Sequence, residues 1–323
     1  MTHWPCSFFG GLLAALSAGS LLAPAAEADR YLPNDTAVLL HVNVRQVLDS
    51  PLAQREAPRL QALFLSRDPD KVTLDLLGID PFRDVANVLF AGPAGDREKV
   101  LTILHGRFDP ARCRARGDEI ARTRGDLLKP LPAGGFLFYE AKNFGLYARQ
   151  KQHAFLALLD VNTLVVSPSR EYVLEALDKA AGRRVTALNR QVQDLIGRAN
   201  AGQSLWIVEI GNSSLVSALG NHRLTRDIVD KTETISGGLN VGADLQGLLV
   251  IGTRDKRTAH QLAREINVRV RELALVLFPS GKARNQALEE ILQTVRAGPQ
   301  DRVVYLGVRI PANAVDIGLQ KYQ

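Results

Sequence analysis

Cysteine is nearly absent from this sequence, which has 2 cysteines among 323 residues. Cys6 lies in the predicted N-terminal leader, just before an apolar stretch, so Cys113 stands alone in the rest of the chain. A single thiol excludes an intramolecular disulfide even in an oxidising compartment, and the fold must therefore rest on its hydrophobic core. A nucleophilic thiol needs a neighbouring base, which the sequence does not supply, so we interpret Cys113 as structural.

The familiar motifs of catalysis and cofactor binding are also missing. The sequence has no phosphate-binding glycine-rich loop, no dinucleotide fingerprint, no Gly-x-Ser-x-Gly elbow, no His-Glu-x-x-His and no paired Cys-x-x-Cys. Its histidines are scattered singly, without the spacing that brings two imidazoles onto one metal ion. We therefore expect no cofactor, no metal site and no catalytic residue with a recognisable signature.

Long runs of one charge and low-complexity tracts are absent as well. The 40 Lys and Arg residues exceed the 34 Asp and Glu residues, which gives a formal net charge of +6. The densest basic group, from Arg112 to Arg124, is interrupted by Asp118 and Glu119 and contains no aromatic residues for base stacking. We expect no nucleic-acid partner, while a basic surface that docks to an anionic polymer stays open as an alternative.

An uncharged apolar stretch occupies residues 8–22 and is followed by Ala26-Glu-Ala28. This pattern predicts a signal peptide over residues 1–28 with cleavage after Ala28, although no Lys or Arg precedes the apolar stretch. The stretch is short for a membrane span of about 20 residues and is broken by Gly and Ser. We expect an exported protein, periplasmic or extracellular, with no transmembrane span after cleavage.

The stretch that most clearly organises the chain is a hairpin over residues 235–241 and 246–252, which runs into a long amphipathic helix near Asp255. A fainter counterpart lies earlier, where residues 85–91 and 100–106 form a hairpin before a helix. The two stretches share the order strand, turn, strand, helix. They predict that the chain contains two copies of one unit.

The predicted fold is α+β, with two pseudo-repeats of strand, helix, hairpin and helix. Each hairpin is preceded by a further strand, at residues 38–43 and 205–212. The polar stretch at Asn200 is the predicted boundary between a first half, residues 29–200, and a second half, residues 201–323. We expect mostly antiparallel sheets that helices cover on one face.

Four polar residues on the predicted strands form the candidate ligand-binding site. His41 and Asn43 share one face of their strand, and His105 lies on a strand that we expect nearby in the sheet. Glu209, from the second half, is the fourth candidate. Polar residues on the open face of an antiparallel sheet are common, so ordinary solvent-facing positions remain an alternative for all four.

Three segments of the chain resemble a group of exported bacterial proteins of unknown function that are built from duplicated α+β units. The segments are residues 31–44 (YLPNDTAVLLHVNV), residues 78–82 (GIDPF) and residues 160–167 (DVNTLVVS). They are turns and strand starts, so the resemblance implies export and fold. It carries no catalytic residues.

These observations favour a non-catalytic binding or structural module of the cell envelope. Its partner is not specified by the sequence, and an envelope protein or an anionic polymer fits the expectation. The alternative is a hydrolase that uses carboxylates as acid and base, because such pairs leave no sequence signature.

Overall fold

One sheet of twelve strands organises the residues that the structure, a computed structural model, describes. These are residues 26, 28–58, 61, 71–96, 98–146, 152–212, 223–277 and 289–319. The strands are β1 (Val38–Asn43), β2 (Val85–Gly92), β3 (Leu101–Gly106), β4 (Leu128–Pro130), β5 (Leu137–Phe144), β6 (Gln152–Asp160), β7 (Thr163–Ser167), β8 (Leu205–Ile210), β9 (Thr234–Val241), β10 (Leu245–Gly252), β11 (Arg296–Gln300) and β12 (Val303–Ile310).

The strands lie in the order β11-β12-β10-β9-β8-β1-β2-β3-β7-β6-β5-β4, and all neighbouring strands are antiparallel. The predicted combination of helices with a large antiparallel sheet is confirmed. Strands from both sides of Asn200 join in this sheet, because β1 pairs with β8 from Val38↔Glu209 to Val42↔Leu205.

Both edge strands of the sheet contain proline. The edge strand β4 ends at Pro130, and β11, at the other edge, contains Pro299. Proline cannot donate a backbone hydrogen bond to an added strand, and proteins use it on edge strands to prevent further pairing. The edges are therefore poor sites for binding an extended peptide.

The helices begin at residues that suit helix starts. Asp109 accepts hydrogen bonds from the backbone N–H groups of Ala111 and Arg112, as its position before Pro110 predicts. None of the helices in the described residues is long and apolar enough to cross a membrane. The labelled helices are α1 (Val44–Leu48), α2 (Pro51–Arg55), α3 (Pro110–Thr123), α4 (Arg170–Ala180), α5 (Arg190–Arg198), α6 (Arg223–Asp230), α7 (Lys256–Leu277) and α8 (Ala312–Leu319).

The sheet has two faces, because successive side chains of a strand point to opposite sides. We call the face that carries His41 and Trp206 the front face, and the face that carries Val38 and Glu209 the back face. Helices α4 and α5 pack on the front face through a core that includes Val173, Val192, Leu39, Leu101 and Trp206.

The back face has two further cores. One lies under α3, and the other lies under α7, where Leu262 and Ile266 pack against Ile251 and Val304. The expectation that helices cover one face only is wrong, since α3 and α4 lie on opposite faces of the sheet. The reason is visible in β6, where every residue from Ala154 to Leu159 is buried, so that apolar side chains on both faces require cover.

Candidate functional site

Polar side chains form a row that crosses the front face at one end of the strands. Asn43 pairs with Asn87, Asn87 pairs with His105, and His105 pairs with Thr163. Directly paired residues of neighbouring strands lie side by side on one face. His41 precedes Asn43 by two residues and therefore lies on this face as well, so the structure brings three of the four predicted site residues together.

The row continues into the second half of the chain. Beyond Asn43 it passes Ser204, whose carbonyl accepts a hydrogen bond from the Asn43 backbone N–H. It then reaches Asn240, which pairs with Gln246, and Gln246 pairs with Arg309. We call these residues the polar row: Arg309, Gln246, Asn240, Ser204, Asn43, Asn87, His105 and Thr163. Seven strand spacings give it a length of about 34 Å.

His41 packs its imidazole against an aromatic ring. The His41 and Trp206 rings are stacked, with centroids 5.1 Å apart and an interplanar angle of 15°. Burial lowers the pKa of His41, and the nearby His105 lowers it further, while a hydrogen bond with the Asn87 side chain raises it. Its Nδ1 atom is buried and has no hydrogen-bond partner in the part of the chain that the structure describes.

His105 is held between a carboxylate and a hydroxyl group. Its Nε2 atom lies 2.5 Å from Asp29 Oδ2, and its Nδ1 atom lies 3.4 Å from Thr163 Oγ1. This order of acid, imidazole and hydroxyl is that of a catalytic triad. Thr163 is only 3% exposed, however, so its hydroxyl group does not face a substrate. The contacts instead tie Asp29 to the sheet.

Glu209 lies away from the other candidates. It pairs with Val38 and Ile235 on the back face, and it is fully buried. The expected site across the two halves therefore does not include it.

Asn43 has a structural contact of its own, because its side-chain oxygen accepts a hydrogen bond from the Gln46 backbone N–H and caps α1. Among the described residues, no group of three His, Cys, Asp or Glu side chains fits a metal ion.

The predicted cleavage site lies at the start of the described chain. Residues 1–25 and residue 27 of the predicted signal peptide lie outside the described residues. Ala28 is exposed, while Ala26 is buried in the front core and donates a backbone hydrogen bond to the carbonyl of Ala199. Cleavage after Ala28 would remove Ala26 from this contact and leave Asp29 beside His105.

Cys113 is buried on α3 within the core of the back face. Burial raises the pKa of its thiol, which disfavours the nucleophilic thiolate. This environment agrees with the structural role that the sequence predicts.

Sequence reasoning missed a surface on the front face that β9, β10 and β12 form. Its three rows follow from strand register: Ser236–Val250–Tyr305, Gly238–Leu248–Gly307 and Asn240–Gln246–Arg309. We call these nine residues the open patch. Helix α5 packs on β8 and α7 packs on the back face, so neither of these two helices covers the patch. A Cβ atom added at Gly307 would meet no atom within 4 Å.

The third row of the open patch is exposed and carries almost no unpaired charge. Asn240, Gln246 and Arg309 are exposed. Arg309 donates from Nε to Asp244 Oδ2 at 2.8 Å, and this hydrogen bond is the main reason why the pKa of Asp244 is lowered. The guanidinium and the carboxylate therefore neutralise each other. The neutral amides of Asn240 and Gln246 are left as the polar groups that face solvent.

The dependence of folding stability on pH tests whether the pKa of His41 is lowered in the folded protein. Because its pKa is lowered in the folded protein, the unfolded chain binds a proton more readily, and stability falls as the pH drops below the ordinary histidine value of 6.5. We expect this fall to be smaller in His41→Phe, which keeps a ring beside Trp206. Urea unfolding at about pH 7.5 and about pH 5.5 measures it. Equal falls in both proteins would show that His41 does not titrate in this way.

Comparison with known proteins shows a likeness of fold alone. The chain matches no protein-family model and no curated protein sequence. Crystal form III of the protein TP0453 superposes with a TM-score of 0.52 at 8% identity, covering 90% of this chain and 96% of that one. Crystal form I gives 0.51 at 9% identity, with 90% and 95% covered. The chain is therefore similar in fold to TP0453 over most of both lengths.

Proposed function

We propose that the protein is an exported, non-catalytic binding module of the cell envelope that holds its partner on the front face of the sheet. The observation that carries this proposal is the open patch, a surface with exposed polar groups that neither α5 nor α7 covers. Pro130 and Pro299 on the edge strands support a face rather than an edge as the binding surface. The predicted signal peptide supports export to the periplasm or the cell exterior.

We further propose that the sheet arose by duplication of one α+β unit. The first copy would be β1, β2, β3 and α3, and the second β8, β9, β10 and α7. The strand order supports this division, because β1-β2-β3 and β8-β9-β10 run outward from the central β1–β8 pair in the same sequence order. Both α3 and α7 pack on the back face.

The alternative, a carboxylate-dependent hydrolase, has less support from the geometry. A cleft beside α4 brings together Asp35, Glu171 and Glu175. Asp35 already accepts a hydrogen bond from the Tyr172 hydroxyl at 2.7 Å, and Glu175 accepts one from the Asn34 backbone N–H at 3.1 Å. These two carboxylates join the turn at Asp35 to α4, and neither is free to act as an acid or base on a substrate.

Affinity capture with a matched pair of variants tests the proposal. The mature chain, residues 29–323, is immobilised and exposed to an extract of its native envelope at low and high salt. We expect Gly307→Leu to lose the captured partner, because the new side chain projects from the open patch and its Cβ atom meets no atom within 4 Å. Gly197→Leu is the control, since Gly197 is exposed on α5 and also has no neighbour within 4 Å of an added Cβ atom.

The salt series separates a specific partner from attraction by charge. A partner that stays bound at high salt and is lost only in Gly307→Leu supports the proposal. Recovery of anionic polymers alone, released at high salt from both variants, would show that the net positive charge of the protein is the whole interaction.

A further inference from the structure

We propose that Asn267 blocks the edge strand β11, so that β11 does not pair with the same strand of a second copy of the chain. This inference concerns self-association and is independent of what the open patch binds. It follows from the length of β11, from the hydrogen bonds that its backbone makes and from the position of Asn267 in α7.

The two edges of the sheet differ in length. The edge strand β4 has three residues, whereas β11, at the other edge, has five. An exposed edge strand presents unpaired backbone N–H and C=O groups to which another strand can add. Pro299 removes only one donor from β11, since the other residues of the strand keep their N–H groups. The longer edge is therefore the one that requires further protection.

Ala297 directs both of its backbone hydrogen-bonding groups to a side chain of α7. Its N–H donates to Asn267 Oδ1 at 3.1 Å, and its carbonyl oxygen accepts from Asn267 Nδ2 at 2.7 Å. In an antiparallel sheet, two residues that lie opposite each other exchange the same two hydrogen bonds. Asn267 therefore takes the place of the residue that would lie opposite Ala297 in an added strand.

The carboxamide of asparagine suits this position. It has a donor and an acceptor side by side, as a peptide group has. Asparagine is a poor helix former, because its side chain competes for backbone hydrogen bonds, so helix stability does not explain Asn267 in the interior of α7. The neighbouring Ile266 is 3% exposed, and it packs in the same back-face core as the side chain of Ala297. This packing holds Asn267 against the edge.

Two other side chains bind backbone groups near the contact of Asn267 with β11. Arg296 Nη1 donates to the Val295 carbonyl at 2.7 Å. On β12, beyond its pairing with β11, the Arg309 N–H donates to Thr294 Oγ1 at 3.0 Å, and Thr294 Oγ1 donates to the Arg309 carbonyl at 2.9 Å. Side chains thus replace a neighbouring strand at three places along this edge.

A second copy of the chain fits the edge that Asn267 occupies. Two β11 strands related by a twofold axis run antiparallel, and with their Ala297 residues opposite each other they exchange both hydrogen bonds. Pro299 keeps its carbonyl oxygen as an acceptor, so the proline alone does not prevent this pairing. Without the Asn267 carboxamide, the N–H and C=O of Ala297 lose their partners, and pairing with a second copy satisfies them again.

Self-association of Asn267→Ala tests the inference. The mass of the mature chain, residues 29–323, is measured by light scattering at protein concentrations from about 5 µM to about 500 µM. We expect the wild type to stay monomeric, while the mass of Asn267→Ala rises toward that of a dimer. Gln261→Ala is the control, because Gln261 is exposed on the same helix, and it should behave like the wild type. Asn267→Asp keeps an acceptor but loses the donor, and it should associate less than Asn267→Ala.

Hydrogen exchange at Ala297 separates pairing at the edge from a loss of folding. In dilute Asn267→Ala, we expect the Ala297 amide to exchange about tenfold faster or more than in the wild type, because its hydrogen bond is lost. At high protein concentration the same amide should become protected again, since the two β11 strands then pair.

Four results would overturn the inference. If Asn267→Ala stays monomeric at the highest concentration, another feature keeps the copies apart, even where Ala297 exchanges faster. If Asn267→Ala forms a dimer in which the Ala297 amide stays unprotected, the copies join elsewhere. Equal association of Gln261→Ala would assign the effect to α7 as a whole. A wild type that dimerises with its Ala297 amide protected from exchange only at high concentration would show that Asn267 does not block the edge.

Discussion

Replacing Glu175 by alanine is expected to lower the free energy of unfolding by about 3–5 kcal/mol, the usual cost of removing one partner from a buried ion pair. The Lys179 side chain is only 2% exposed, and its ammonium group lies 2.6 Å from Glu175 Oε1. The other partners of the ammonium are the Leu32 carbonyl and the Asn34 side chain, both neutral. Burial already lowers the pKa of Lys179, and Glu175 opposes that shift, so alanine leaves a buried charge without its counter-ion.

A double variant separates the loss of the pair from the loss of packing. Glu175→Leu combined with Lys179→Met replaces both charges by apolar side chains, and we expect it to recover most of the lost stability. Urea unfolding of the single and double variants provides the measurement. If the double variant is as unstable as Glu175→Ala, the unpaired ammonium is not the cause of the loss.

Replacing Trp206 by alanine is expected to lower the free energy of unfolding by a similar amount, about 3–5 kcal/mol. Trp206 is 3% exposed, stacks on His41, and contributes to the core that α4 and α5 cover. It also lies on β8, where it pairs with His41 of β1 across the junction of the two halves. The substitution therefore removes packing from both halves at once.

The shape of the unfolding curve tests whether the two halves act as one unit. Because β1 and β8 are neighbours in one sheet, we expect Trp206→Ala to shift a single cooperative transition, without creating a second one. The control is Leu174→Ala, since Leu174 is 38% exposed and should matter much less. Two separate transitions in Trp206→Ala would mean that the halves are independent domains.

Much of the fold was predictable because hairpins and capped helices are local features. The alternation in residues 235–241 and 246–252 and the cap at Asp109 correspond to β9, β10 and the start of α3. The face of the sheet on which each helix packs was harder to predict from the sequence. The uninterrupted apolar run in β6 is a signal for helices on both faces, but it becomes decisive only when neighbouring strands are known.

The candidate site was predictable only in part, because the face of a side chain is known within a strand but not between strands. His41 and Asn43 share a face by alternation alone, whereas the agreement with His105 depends on the long-range register of β1, β2 and β3. The prediction that Glu209 belongs to the site was wrong for the same reason, since pairing with Val38 places Glu209 on the back face.

The open patch could not be predicted from the sequence, because each strand contributes only a few of its residues. The alternation Ser236, Gly238, Asn240 on β9 is a local signal of a small and polar face. Its meaning depends on β12, which supplies Tyr305, Gly307 and Arg309 from much later in the chain. No spacing rule within the sequence connects these residues.

The measurement that tests the central claim most directly is the ratio of envelope material captured by Gly307→Leu to that captured by Gly197→Leu at high salt. Both variants add the same side chain at a glycine where an added Cβ atom meets no atom within 4 Å, and they place it on different surfaces. Binding on the open patch predicts a ratio of about one tenth or less, which corresponds to a loss of about 1.4 kcal/mol or more in binding free energy. A ratio near one would contradict binding on the front face of the sheet.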